Sequence, residues 1–202
     1  MNNKKDHFAH KAKDYETVTR RVDNVKNIAD GILRSITFDK DMHIMDFGSG
    51  TGLLTAHIAP FVSKITCVDM SKSMSDVLRQ KKDTYPCELE ILELDLSVDA
   101  INDKFDSIIS SMTIHHIEDT KKLFEKFYTM LNDGGTIALA DLETEDGSFH
   151  EKDTGVFHFG FNQDEFLQIA KDVGFKDLSI NIVSISSKSY GDFPMFLLTG
   201  KR

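Results

Sequence analysis

The stretch HIMDFGSGTGLLT, His43 to Thr55, sets three glycines, Gly48, Gly50 and Gly52, at alternate positions between the end of one apolar run and the start of another. Glycine lets a chain turn sharply and lets a ligand approach bare backbone. The exposed N–H groups of a helix that follows favour a negatively charged group. A glycine-rich turn also forms where a strand simply packs tightly on a helix, so its surroundings decide the reading.

Those surroundings alternate short β-branched apolar runs with longer helical patterns, the signature of βαβ units around a parallel sheet. The strand segments are 43–47, 64–69, 88–94, 105–110, 136–141, 178–185 and 193–200. Helical segments fall at 52–61, 72–84, 120–131 and 163–173. Before the first strand, Val22, Val25, Ile28, Ala29, Ile32 and Leu33 share one helical face. That region is expected as an N-terminal helical lid over residues 1–40. The two closing strands have only SSKSYGD between them, too short for a helical crossover, so they form a hairpin whose last strand is antiparallel to the rest. The expected fold is α/β: a Rossmann-like, seven-stranded, mostly parallel sheet with helices on both faces. A length of 202 residues with 40% hydrophobic content suits a single domain, 1–202, with the α/β core at 41–202. The glycine loop then lies at the carboxyl end of the first strand, where such sheets bind ligands.

A net charge of −9 disfavours unspecific attraction to nucleic acid or to an anionic membrane. No apolar run reaches the roughly 18 residues of a membrane span, and the first residues lack the apolar core of a signal peptide. The expected setting is cytoplasmic and the expected partner a small molecule. Cys67 and Cys87 form no disulfide framework or CxxC metal site, and no metal is expected.

The loop departs from the dinucleotide pattern G-x-G-x-x-G, because Leu53 stands where its third glycine would be and Gly52 comes one residue early. A phosphate-cradling P-loop also fails, since no Gly-Lys-Ser/Thr follows. MDFGSGTG, with Asp46 two residues before the first glycine, instead resembles motif I of the class I S-adenosylmethionine-dependent methyltransferases. ITCVDMS, ILELDLS, FDSIISSMTIHHIED and LNDGGTIALADL resemble the family's next motifs in order. The resemblance covers Ile44 to Leu142 and is closest to the small-molecule, ubiquinone-biosynthesis-like branch. It implies S-adenosyl-L-methionine as cofactor, with Asp46, Gly48, Ser49, Gly50 and Gly52 in the loop. Asp69 would take the ribose hydroxyls, Met70 the adenine face, Asp95 the adenine amino group and the Leu96 backbone the ring. Ser110 and Ser111 would pass beside the methionine part.

The implied reaction is in-line displacement of the sulfonium methyl, which needs chiefly alignment and a dry site. Where the acceptor is a hydroxyl, thiol or ammonium group its proton must leave, and histidine suits that task near neutral pH. His116 follows the fourth strand beside His115, for which capping or packing is the alternative. His150 and His158 lie in the segment 142–162, where this fold builds its substrate pocket. Phe149, Phe157, Phe159 and Phe161 either line that pocket or anchor the loop. Its acid-rich stretch DLETEDGSFHEKD either repels anions or is a solvated loop. Tyr15 matches the N-terminal aromatic of small-molecule members, although Glu16 replaces their usual Asp. SSMT stands where an Asn-Pro-Pro-Tyr-like tetrad would be, which separates the chain from DNA and protein-amide methyltransferases. An S-adenosylmethionine-binding sensor or accessory protein is the alternative function, with a Rossmann NAD-dependent oxidoreductase behind it.

Overall fold

Seven apolar runs line up as one sheet in a computed structural model that describes residues 6–150 and 155–202. The strands are β1 His43–Phe47, β2 Lys64–Asp69, β3 Glu88–Glu93, β4 Phe105–Ser111, β5 Leu131–Leu142, β6 Lys176–Lys188 and β7 Gly191–Lys201. Their order is β3-β2-β1-β4-β5-β7-β6, parallel except for β7, which runs antiparallel to both β5 and β6. The chain builds outward from β1 to β3 and then returns to place β4 beside β1. The loops after β1 and β4 therefore meet at the point where strand order reverses, the ligand crevice of open α/β sheets.

The α-helices are α1 Thr19–Ser35, α2 Leu53–Ile58, α3 Lys72–Lys81, α4 Thr120–Met130 and α5 Gln163–Val173. Successive side chains of a strand point to opposite faces, so β1 sends Ile44 to one core and Met45 to the other. The first core lies under α1, α2 and α3, around Ile28, Ile32, Leu54, Ile58, Ile65 and Leu78. The second is aromatic: Phe124, Phe127, Phe166 and Phe196 are all 0% exposed. Each such ring stabilises the fold by roughly 2–3 kcal/mol relative to exposure. Asp119 caps α4 by accepting from Lys122 N, and Asn162 caps α5 by accepting from Asp164 N and Glu165 N.

The N-terminal region differs from a single lid. Ile28, Ala29 and Ile32 of α1 are fully buried, and a Cβ added at Gly31 would stand 2.9 Å from Val183 of β6. A helix with so wide an apolar stripe covers a sheet rather than a ligand opening. Only the segment before it, with a 3-10 helix at Ala12–Thr17, reaches across toward α3. Residues 1–5 of the expected lid lie outside the described residues, as do residues 151–154 of the expected 142–162 insertion, including Glu151 and Asp153 of its acid-rich stretch.

Candidate active site

Gly48, Gly50 and Gly52 all take positive φ, +71°, +54° and +88°. The loop is fastened to β2 by Gly48 N and Ser49 N, which both donate to Val68 O at 2.7 and 3.2 Å. Gly48 is required by proximity as well as by backbone shape, because a Cβ there would stand 2.1 Å from Thr113 Oγ1. The β1 and β4 loops are thus in direct contact. Gly50 differs: among the described residues nothing lies within 4 Å of where its Cβ would be, so its bare backbone faces open space there. Tyr85, arriving from beyond α3, donates its hydroxyl to Gly52 O at 3.2 Å and supports the loop from behind.

Asp69 ends β2 beside this opening. Its Oδ2 accepts from Gly50 N at 2.8 Å and its Oδ1 from Ser71 N at 2.7 Å. Burial pushes this carboxyl up, and the two backbone bonds partly offset it. A carboxylate oxygen has more than one acceptor site, so each still has capacity for a hydroxyl. Met70, beside it, is 49% exposed for so large an apolar side chain. Thr51 is 1% exposed yet its Oγ1 has no hydrogen-bond partner among the described residues, and the same holds for Ser111 Oγ at the end of β4. Open space over Gly50, a two-oxygen acid, an exposed apolar side chain and two unpaired hydroxyls fit a polar cofactor with a vicinal diol and an aromatic ring.

Other expected cofactor residues serve the loop from beneath. Asp46 is 1% exposed and accepts from Thr55 Oγ1 at 2.5 Å; burial raises its carboxyl to about 7 despite that bond. Ser110 is fully buried and donates to Phe47 O at 2.8 Å, tying β4 to β1. Leu96 is buried, and its carbonyl accepts from Lys126 Nζ. Asp95 accepts from Ser97 N through Oδ1 in a local turn just past β3.

The N-terminal segment touches both the start of α3 and the turn after β4. Asp6 accepts from Phe8 N and Ser71 Oγ through Oδ1, and from Ser73 Oγ and N through Oδ2, at the start of α3. Phe8 meets His116 edge-on at 5.4 Å between ring centroids. Tyr15 lies beneath the Arg21 guanidinium, 3.9 Å from its ring centroid, and burial raises its phenol, with Asp69 near enough to add to the shift.

Three imidazoles gather after the ends of β4 and β5. His115 lies 4.3 Å from His116 and 5.0 Å from His150, ring to ring, and His116 lies 6.1 Å from His150. Burial, reinforced by neighbouring His115, drops His116 to about 3 and His150 to about 4. His158 does not join them. Its Nε2 donates to Ile117 O at 2.9 Å, its ring packs on Phe161, and it lines a separate cavity of about 420 Å³ between the starts of α4 and α5. The four loop phenylalanines also separate: Phe149 packs on Phe193 and Phe161 on Phe166, while Phe157 and Phe159 are exposed. The pairing that sequence reading missed is His115 with Asp141, 26 residues apart, whose only signal was an acid at the end of an apolar strand.

Residues 45–139 match a family model described as a methyltransferase domain. An uncharacterised methyltransferase of Schizosaccharomyces pombe is 31% identical over 156 residues, 69% of this chain and 55% of the relative. The chain spans about half the length of the curated relatives it matches. A structure described as a DhpI–SAH complex aligns with a TM-score of 0.75 at 17% identity, covering 97% of this chain and 93% of that one. The [4+2]-cyclase SpnF aligns at 0.72 with 14% identity, over 87% and 80%. At such identities the likeness is one of fold.

Proposed function

We propose that this chain, a member of the class I S-adenosylmethionine-dependent methyltransferases through its residues 45–139, transfers a methyl group to a small-molecule acceptor in the cytoplasm. The observation that carries the reading is the Gly50 N–Asp69 hydrogen bond at the edge of open space above Gly50. It sets an acid and bare backbone side by side at the strand-order switch.

Asp69 would accept the two ribose hydroxyls and Met70 pack on the adenine face. Asp95 and the Leu96 backbone would meet the rest of the ring. Gly50, Thr51 and Ser111 are nearest to receive the polar amino-acid part, with Asp46 and Ser110 holding the loop beneath them. S-adenosylmethionine supplies, when bound, an electrophilic methyl on a sulfonium that leaves as a neutral thioether. The residues left to the chain are then positioning groups and a hydrogen-bond acceptor for the attacking group. His116 Nδ1 faces Gly155 O at 3.2 Å. A carbonyl only accepts, so that nitrogen carries the proton and the lone pair sits on Nε2. His116 is therefore assigned the hydrogen bond from the acceptor, with His150 beside it. Tyr15 and Phe8 close the cofactor and acceptor ends respectively, and His158, in its own cavity, is left outside this role. Free Cys67 and Cys87 agree with the cytoplasmic assignment.

The test is a screen of small thiols, amines and phenols with methyl-labelled S-adenosylmethionine. Label transfer with formation of S-adenosylhomocysteine is the expected result. Binding of the cofactor with no transfer to any acceptor class would favour a sensor or accessory role.

A further inference from the structure

Asp141 is 0% exposed and His115 1%, and they meet where β5 ends against the turn after β4. The carboxylate is fully engaged. Its Oδ1 accepts from His115 Nδ1 at 2.6 Å and from Leu142 N at 2.8 Å, and its Oδ2 from His115 N at 3.2 Å. Burial opposes ionisation here, but His115 and the hydrogen bonds outweigh it and hold the carboxyl below its usual value. Burying a charge is expensive, and an apolar residue of the same size would pack this strand end without that cost. Two of the three bonds go to one residue, His115, which fixes both its backbone and its ring.

His115 passes that order on. Its ring lies against His116 and His150 at 4.3 and 5.0 Å, and its carbonyl accepts from Phe157 N and His158 N, at 2.9 and 3.2 Å. The loop so fastened begins at Gly155, whose carbonyl receives His116 Nδ1–H. One buried carboxylate thus reaches His116 by two routes, ring against ring and loop against Nδ1.

We propose that Asp141 and His115 are a positioning pair: together they hold His116 in a single tautomer and orientation, with its Nε2 lone pair presented to the methyl acceptor. The assignment rests on the methyltransferase reading above for its use, and on the hydrogen-bond geometry for its existence. Among the described residues, the titratable groups around His115 are Asp141 on β5, His116 on its own turn and His150 after β5. Lys11 and Lys188 act on His150 from the N-terminal segment and β6.

The experiment uses the full ¹⁵N-labelled chain without ligand, reading the histidine ring nitrogens by long-range ¹H–¹⁵N NMR at neutral pH. His116 resonances are identified by their loss in His116→Gln. In the wild type His116 appears as the Nδ1–H form. In Asp141→Asn, and in His115→Asn, whose amide can still donate to Asp141 but brings no ring, His116 moves toward the Nε2–H form that a free imidazole prefers. S-adenosylhomocysteine affinity stays within about threefold in both, because neither residue touches the glycine loop. The second variant keeps the carboxylate partnered should the first fold poorly. A His116 that remains in the Nδ1–H form in a folded variant, even with a lowered melting temperature, overturns the proposal and leaves the pair a structural one. Failure of the wild type to bind S-adenosylhomocysteine would instead remove the methyltransferase reading and leave the tautomer result standing.

Discussion

The glycine loop with Asp69, proposed to hold the cofactor, and the histidine cluster, proposed to face the acceptor, are built from different materials. At the proposed cofactor end the surface is largely main chain set around one carboxylate: glycines at positive φ, the N–H groups of Gly50 and Ser71 on Asp69, and a loop tied to the Val68 carbonyl. At the proposed acceptor end it is side chain: His115, His116 and His150 meet from a turn and a loop, with Phe8 closing in from the N-terminal segment. Backbone sites tolerate no extra atom, and side-chain sites tolerate change but lose direction. Substitutions should therefore act as steps at the first end and as gradations at the second.

The sharpest break is Gly48→Ala. Its φ of +71° and the Thr113 hydroxyl 2.1 Å from the new Cβ should destabilise the fold by about 2–4 kcal/mol, seen as a shifted urea midpoint. Gly50→Ala separates the backbone cost from the ligand cost. With no described residue within 4 Å of its Cβ, it should lose only about 1–2 kcal/mol of stability, yet weaken S-adenosylhomocysteine binding by a larger factor in calorimetry. Equal losses in both quantities would mean that the space above Gly50 is not ligand space.

A pH effect sharpens the comparison from beneath the loop. Asp46 is raised from its ordinary value of 3.8 to about 7 by burial, so the folded state holds its proton more tightly than the unfolded chain. The stability from this group is complete below pH 4 and is lost as pH rises through 7. Asp46→Asn, which keeps an acceptor for Thr55, should therefore show a flatter dependence of unfolding midpoint on pH between 4 and 7 than the wild type. The smallest effect belongs to Tyr15→Phe. Its hydroxyl lies near Asp69 but forms none of the loop's hydrogen bonds, so cofactor affinity should change by no more than about threefold with the melting temperature unmoved.

The same division explains what could be read from the sequence. Both strands flanking the glycine loop, 43–47 and 64–69, and the helix 163–173 have the expected bounds, because each is a continuous apolar or amphipathic run between clear caps. β5 begins five residues earlier than expected, at Leu131, since Asn-Asp-Gly-Gly reads as a turn yet joins the sheet through a register shift after Phe105. The apolar face of α1 was legible, but a stripe says only that a helix packs and not on what, so the sheet-covering helix read as a lid. Ser110 sits in the right motif and points inward, which strand alternation decides only once the register is known. The His115–Asp141 bond and the separation of His158 from His116 depend on two strand ends lying side by side and on which face of a loop each ring takes. Neither is encoded in local spacing.

The central claim is a cofactor site anchored on the Gly50–Asp69 pair, and calorimetric titration of S-adenosylhomocysteine into the wild type and Asp69→Ala tests it most directly. The account predicts micromolar or tighter binding to the wild type and affinity lower by about 10–100-fold in the variant. The ligand-free variant should melt only a few degrees lower, since Gly50 N and Ser71 N lose their acceptor but no core cavity opens. No heat at millimolar ligand with the wild type, or equal affinity in the two proteins, would contradict it.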